Sequence, residues 1–316
     1  MFKKLIQVGF VSREPGRILD NYINIYNISP WYILKFCPEN VKSMTVYGKK
    51  QEYAMNVFVC PIADVRFEYI EPITKSVFSD FHDQFSENAV HHLKFTVSNY
   101  RETLNFFASR NIELIQSGHQ CGDAGQNIYN FFDTRKELGF ITEIVHVTKN
   151  FIKPRPDCWL PSELNNLEPV LGNTTVVGIV VENIKDKIRK YEEFKIGPWQ
   201  ILDFGKESNL KVKTRMAFCR LDNVILKLIE PQSDSIFSEF LLKQGEGIHH
   251  LKLEVADYDK TLKYLQTKGI SSIYSDSYLD KIRFSFLNTG SQLNFVLEIS
   301  DKEIKNVLQS DITVHP

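Results

Sequence analysis

The chain repeats itself, and the repeat limits its fold more than any other feature of the sequence. Residues 7–36 read QVGFVSREPGRILDNYINIYNISPWYILKF, and residues 176–204 read VVGIVVENIKDKIRKYEEFKIGPWQILDF. Each segment holds an apolar strand, a stretch of helical period, a turn ending in Pro-Trp and a second strand. Pro30-Trp31 and Pro198-Trp199 mark the same point. The correspondence continues in order: Ile70-Glu71-Pro72 with Ile229-Glu230-Pro231, His91-His92-Leu93-Lys94 with His249-His250-Leu251-Lys252, Phe131-Phe132-Asp133-Thr134 with Phe286-Leu287-Asn288-Thr289, and Glu143 with Glu298. A duplicated pattern specifies the same local structure twice, so two related domains are expected.

Within the first copy, Leu5–Val11 reads as a strand, and Arg17–Ile25 places Ile18, Tyr22 and Ile25 at helical spacing. Trp31–Phe36, Tyr53–Cys60 and Val65–Glu71 are rich in aromatic and β-branched residues and read as strands. A second β-α-β-β-β unit follows: strand His92–Val97, helix Tyr100–Ser109, then strands Glu113–Gln116, Ile128–Phe132 and Phe140–Val147. Four βαβββ units are therefore expected, two per domain, an α+β architecture. The first domain spans 1–148 and the second 174–302, with a C-terminal tail at 303–316. Between them lies Lys149 to Asn173, where Pro154, Pro156, Pro161 and Pro169 break helix and ladder alike. Trp159 and Leu160 predict that this linker packs on a domain.

Composition narrows the function classes. The 316 residues carry a net charge of −1, which gives no broad attraction to nucleic acid or to an anionic membrane surface. The run Leu5–Val11 is too short for a membrane span and has no signal-peptide cleavage pattern. Five scattered cysteines, Cys37, Cys60, Cys121, Cys158 and Cys219, form no CxxC pair and predict reduced thiols in a cytoplasmic protein.

Paired βαβββ units, the Gly197-Pro198-Trp199 turn and the segment GEGIHHLKLEV at 245–255 together resemble the vicinal-oxygen-chelate (glyoxalase-like) superfamily, with methylmalonyl-CoA epimerase and its relatives the nearest look-alikes. The resemblance covers nearly everything except the linker and the tail. It implies that each unit curls into a half-open sheet and that two units enclose a pocket with a divalent metal. The ligands then come from the first and last strands of each unit. In the first copy those positions are Gln7, Glu68, His92 and Glu143, a set similar to that of one branch of glyoxalase I. Two carboxylates, an imidazole and an amide oxygen suit Zn²⁺, Ni²⁺, Co²⁺ or Mn²⁺.

The same positions in the second copy are Val176, Lys227, His250 and Glu298. Valine cannot ligate and lysine opposes a cation, so that site reads as degenerate, with Lys227 neutralising Glu298 or binding an anion. Some superfamily members pair units across domains; in such an arrangement Gln7 and Glu68 would join His250 and Glu298. The within-domain site is the favoured expectation.

The residues also have plainer readings. Neighbours on a strand alternate faces, so His91 and His92 are expected to point to opposite sides, as are His249 and His250. Without a metal, Glu68, Glu143 and Gln7 would be solvent-facing strand residues. Glu71 and Glu230 read as strand-end charges, and Trp31 and Trp199 as core or pocket wall. Asn56 falls where epimerase relatives carry a catalytic Glu, which puts a two-base epimerase mechanism in doubt. His119, Gln120 and Cys121 read as part of a glycine-rich loop, GHQCGDAG, either lining a pocket mouth or forming a plain turn. No phosphate loop, GxSxG elbow or HExxH helix is present.

The expected function is a metal-assisted isomerase, epimerase or lyase for a small substrate with a carbonyl or vicinal oxygens. Glu143 is the first candidate for the proton-transfer base and Glu68 the second. The alternatives are a non-catalytic binding or resistance protein and a two-domain dioxygenase. Two copies in one chain would mimic the dimer of single-domain relatives; a homodimer of the chain is left open.

Overall fold

A computed structural model describes residues 1–85, 89–121, 125–161, 167–203, 212–278 and 281–302. The tail 303–316 and linker residues 162–166 lie outside the described residues. The first half runs β1 (Phe2–Val11), α1 (Pro15–Asn24), β2 (Trp31–Phe36), β3 (Val41–Val46), β4 (Lys49–Lys50), β5 (Met55–Ile62), β6 (Val65–Pro72) and α2 (Val77–Phe85). It continues with β7 (Val90–Val97), α3 (Tyr100–Ser109), β8 (Leu114–Cys121), β9 (Gln126–Phe132), α4 (Arg135–Leu138) and β10 (Ile141–Val147). After β11 (Cys158–Leu160) the pattern returns as β12 (Thr174–Val180), α5 (Ile184–Glu193), β13 (Gln200–Asp203), β14 (Thr214–Arg220), β15 (Ile225–Pro231) and α6 (Ile236–Gln244). It closes with β16 (Gly247–Leu253), α7 (Tyr258–Thr267), β17 (Ser272–Tyr278), β18 (Ile282–Leu287), α8 (Gly290–Leu293) and β19 (Val296–Ser300).

Local chemistry sets the helix starts. Asn99, Asn183 and Asp257 accept a backbone N–H three residues on and cap α3, α5 and α7, while Pro15 opens α1. Each helix then buries one face, Ile18, Leu19 and Tyr22 in α1, and Ile184, Ile188 and Tyr191 in α5.

The strands form two sheets. The first has the order β11-β2-β5-β6-β1-β7-β10-β9-β8-β3-β4, the second β13-β14-β15-β12-β16-β19-β18-β17. In each, two βαβββ units join through their first strands: β1 runs antiparallel to β7, and β12 antiparallel to β16. The last strand of each unit lies parallel to its first, as in the β1–β6 and β7–β10 pairs. Apolar side chains on the inner face of the first sheet form one core, with Val57, Ile70, Phe78, Tyr129 and Phe131 among them. The inner face of the second forms another, with Val176, Phe218, Phe237 and Phe286. The outer faces and the helices of both halves merge into a single larger core.

That shared core has internal symmetry. Helix α1 packs on α8, and the equivalent α5 packs on α4. The Tyr191 hydroxyl donates to the Leu138 carbonyl at 2.6 Å, and the Tyr69 hydroxyl to the Leu293 carbonyl at 2.6 Å. Tyr69 has then spent its one hydrogen, so Tyr22, 3.0 Å away, donates to it. Trp31 and Trp199 are core residues that share one contact: their indole N–H groups donate to the carbonyls of Ile28 and Ile196 at 3.1 and 3.0 Å.

Several expectations need correction. Helices α2 and α6 and the β3–β4 hairpin were not separated in the sequence. Strand β8 reaches Cys121 rather than stopping at Gln116, because β9 and β3 both supply it with ladder partners. Gly118, His119, Gln120 and Cys121 are therefore strand, not loop; residues 122–124 lie outside the described residues. In the linker, β11 adds to the edge of β2, with the Trp159 and Tyr32 rings 5.4 Å apart.

Candidate metal centre

The central strands β6, β1, β7 and β10 lie side by side, and their register forms two rows. One row contains Glu68, Gly9, His92 and Ile141, and the next Arg66, Gln7, Lys94 and Glu143. Residues two apart on a strand share a face, so Glu68, Gln7, His92 and Glu143 converge on the inner face of the first domain. His92 Nε2 lies 3.2 Å from Glu143 Oε2 and 3.6 Å from Glu68 Oε1. Gln7 Nε2 donates to Glu143 Oε2 at 3.3 Å. The four positions expected from the sequence are thus brought together within one domain; Gln7 and Glu68 do not meet His250 and Glu298.

A divalent ion held at about 2.1 Å by nitrogen and oxygen separates neighbouring ligand atoms by about 3 Å. The donor atoms of Glu68, His92 and Glu143 all lie within 4.8 Å of one another. His92 is fully buried, and its Nε2, though near both carboxylates, makes no hydrogen bond. A buried lone pair aimed at two carboxylates fits a cation. Turning the Gln7 amide over would present its oxygen to the same point.

Two features of the cluster were not foreseen. The first is Lys94, whose Nζ lies 2.7 Å from Glu143 Oε1. It stands two residues after His92 and recurs as Lys252, so strand period and repeat together carried its signal. The second is the direction of His91. The register shifts between the Gly9–His92 and Phe10–Val90 pairs, which leaves His91 as the extra residue of a β-bulge. His91 therefore does not alternate away from His92: it packs on Phe78 and Phe81 of the inner core, and the two Nδ1 atoms lie 3.0 Å apart. The second domain repeats the bulge between Gly178–His250 and Ile179–Ile248, with His249 and His250 Nδ1 atoms 2.9 Å apart.

Electrostatics separates the two carboxylates. Burial raises the Glu68 pKa and neighbouring Glu143 raises it further, against Lys94 and His92. Burial pushes Glu143 the same way, but Lys94 and His92 overcome it and hold that carboxyl down at about 2. Burial keeps His91 well below the usual imidazole range and therefore neutral.

In the second domain the corresponding rows hold Lys227, Gly178 and His250, then Val176, Lys252 and Glu298. Lys227 Nζ lies 2.5 Å from Glu298 Oε2, and His250 Nε2 lies 2.8 Å from the same oxygen. Burial opposes the charge on Glu298, yet Lys227 and His250 hold its carboxyl well below the usual range. Val176 is part of the apolar core.

Asn56 points away from this face. Its neighbours Met55 and Val57 belong to the inner core, while Asn56 donates to Glu71 at 2.7 Å. Glu230 pairs with Arg215 at 3.2 Å and accepts the Ile184 N–H that opens α5. A cavity of about 250 Å³ lies away from the cluster, between Asp64 of the first half and Asn173, Arg220 and Glu254 of the second.

Among the described residues no helix is long and apolar enough to cross a membrane. A family model described as the glyoxalase/bleomycin resistance protein/dioxygenase superfamily matches residues 177–286. No curated protein matches the sequence. Among solved structures, a mutant 4-hydroxymandelate synthase from Streptomyces coelicolor is similar over 95% of this chain and 92% of its own, at 12% identity and a TM-score of 0.64, a likeness of fold. Methylmalonyl-CoA epimerase from Mycobacterium tuberculosis aligns with 44% of this chain and 93% of its own (21% identity, TM-score 0.36). A hypothetical protein from Bacillus halodurans aligns with 42% of this chain and 94% of its own (24% identity, TM-score 0.36). The family match thus lies within the second half, and the first half repeats the same paired βαβββ arrangement, so the chain has the fold of a tandem of two domains similar to that superfamily.

Proposed function

We propose that the first domain holds a divalent metal through Glu68, His92 and Glu143, with Gln7 beside them, and uses it for proton transfer next to a carbonyl or between vicinal oxygens of a small molecule. The reaction class is isomerase, epimerase or lyase. One observation carries this reading: the buried, unpartnered Nε2 of His92 aimed between two carboxylates from different strands. The bound metal would supply Lewis-acid polarisation of a substrate oxygen. Two carboxylates, the Lys94 ammonium and a dication sum to a local charge of +1 (−2 + 1 + 2), which favours an anionic substrate or a developing oxyanion.

Proton transfer falls to Glu68 in preference to Glu143, reversing the order expected from sequence. Both oxygens of Glu143 are engaged, one by Lys94 and the other by the Gln7 amide. Glu68 has His92 as its ion-pair neighbour at 3.6 Å and keeps 14% of its side chain exposed. Its raised pKa also brings it closer to that of a useful acid–base group. Five free thiols accord with a reducing, cytoplasmic setting.

A second reading, a binding protein without metal chemistry, is favoured by one observation. Lys94 already compensates Glu143, and Phe78, Tyr129 and Phe131 fill the inner face beside it. A dioxygenase reading has less support, since the second domain presents lysine, one histidine and glutamate where a two-His-one-carboxylate iron site would be needed.

Elemental mass spectrometry on the wild type, Glu68→Ala and Glu143→Ala tests the reading. About one equivalent of Zn, Ni, Co or Mn per chain, lost in either variant, is the expected result. Solvent-deuterium incorporation into candidate carbonyl substrates, abolished by Glu68→Gln, would then establish proton transfer. A wild type that takes up none of these metals on refolding overturns the metal reading in favour of the binding protein.

A further inference from the structure

We infer that Lys227 is a built-in substitute for the metal: in the second domain its ammonium sits on the Glu298 oxygen that His250 also meets and supplies there the positive charge a divalent cation would bring, so this domain needs no ion to complete its fold.

The argument rests on the equivalence of the rows. Lys227 stands beside Gly178 and His250 as Glu68 stands beside Gly9 and His92. Glu298 stands beside Lys252 as Glu143 stands beside Lys94. The protein scaffold around the point is also the same: the imidazole lies over a glycine, and a bulged histidine sits 2.9 Å behind it. What changes is the group delivered from the last strand of the first unit. A carboxylate there brings negative charge that a cation must balance. A lysine brings the positive charge itself.

The Lys227 side chain is long enough to carry its nitrogen to the far carboxylate. Nζ reaches Glu298 at 2.5 Å and lies 3.5 Å from the Tyr278 hydroxyl. It also lies 5.4 Å from the centre of the Phe286 ring, whose face is an attractive place for an ammonium. Lys227 is 1% exposed, so this charge has no access to bulk water and depends on Glu298. The carboxylate leans on Lys227 in turn, with His250 on the same oxygen. The substitution therefore trades an open ligand site for a closed ion pair, and the second domain becomes the half whose charge is balanced by its own sequence.

The comparison with the first domain rests on the metal reading above, but the number of cations taken up by the second domain can be measured without it. The full chain is tested as wild type, Lys227→Glu, Lys227→Met and Lys227→Arg, each alone and combined with His92→Ala. Bound Zn²⁺ is counted by elemental mass spectrometry, and Tm is read with Zn²⁺ and with chelator. Lys227→Glu recreates two carboxylates and an imidazole and is expected to bind one equivalent more than its parent, whether or not the first domain binds any. Lys227→Met removes the ammonium in direct contact with Glu298 and is expected to lower Tm by about 10 °C in chelator, with part of the loss restored by Zn²⁺. Lys227→Arg keeps the positive charge and should gain no metal.

A Lys227→Glu chain that gains no Zn²⁺, or that fails to fold with Zn²⁺ present, overturns the inference. So does a Lys227→Met chain as stable as the wild type in chelator. Metal-free wild type together with a one-equivalent gain in Lys227→Glu would refute the first-domain reading and leave this one standing.

Discussion

Gly9 lies directly against the imidazole of His92: a β-carbon added there would come within 1.9 Å of the ring. A similar approach holds for Gly178 against His250. Each glycine occupies the ladder position between a row neighbour and the histidine, and its missing side chain is the space the ring uses. Gly9→Ala is expected to drive the His92 ring away from Glu68 and Glu143. We expect a loss of about 1–3 kcal/mol in chemical denaturation, with metal uptake reduced. Wild-type stability and metal content in Gly9→Ala would show that the ring has no such constraint.

Lys94 and Glu143 form a buried ion pair at 2.7 Å. Removing one partner leaves the other charge uncompensated in a low-dielectric interior. Lys94→Met is expected to destabilise the metal-free chain by about 3–5 kcal/mol. A bound dication would replace the missing charge, so the stabilisation conferred by metal should be larger in Lys94→Met than in the wild type. Urea unfolding with and without Zn²⁺ checks both points; an equal metal effect in the two chains would contradict them.

The two site carboxylates should respond oppositely to pH in metal-free protein. Glu68 has a raised pKa in the fold, through burial and then Glu143. Its contribution is present below the ordinary carboxylate range and is lost as pH rises through the raised value. At neutral pH its charge is a liability, so Glu68→Gln should raise the metal-free Tm and abolish the gain on adding metal. Glu143 has a pKa lowered to about 2; burial opposes this, and Lys94 and His92 bring it about. Its contribution is present above the ordinary range and disappears as pH falls toward about 2. Glu143→Gln should lower the neutral-pH Tm, with the difference shrinking in acid. Equal shifts in both variants would sink this assignment.

The pairing of the halves depends on hydroxyls that donate across the shared core. Tyr191→Phe leaves the buried Leu138 carbonyl without that partner and is expected to cost about 1–2 kcal/mol. Tyr69→Phe disrupts two contacts, one to Leu293 and one to Tyr22, and should cost at least as much. Thermal unfolding followed by circular dichroism measures both. Neutral outcomes would mean that the apolar core alone holds the halves together.

The repeat determined the four βαβββ units, because a duplicated order specifies the same local structure twice, and the resemblance to the glyoxalase-like superfamily implied Gln7, Glu68, His92 and Glu143 as the positions to watch. The same logic carried Lys94, two residues from His92 and repeated as Lys252, and Gly9, repeated as Gly178; both were legible once the row they belong to was known. The tertiary structure decided what local pattern cannot contain. Which strand borders which set the row joining Glu68 to His92 across Gly9, and closed the site within one domain. The bulge at His91 arises from a register shift against β1, more than eighty residues earlier in the chain, and reverses the direction that alternation predicts. Asn56 likewise took its face from the pairing of β5 with β6. Ladder register is a property of two strands at once, and neither strand's sequence states it alone.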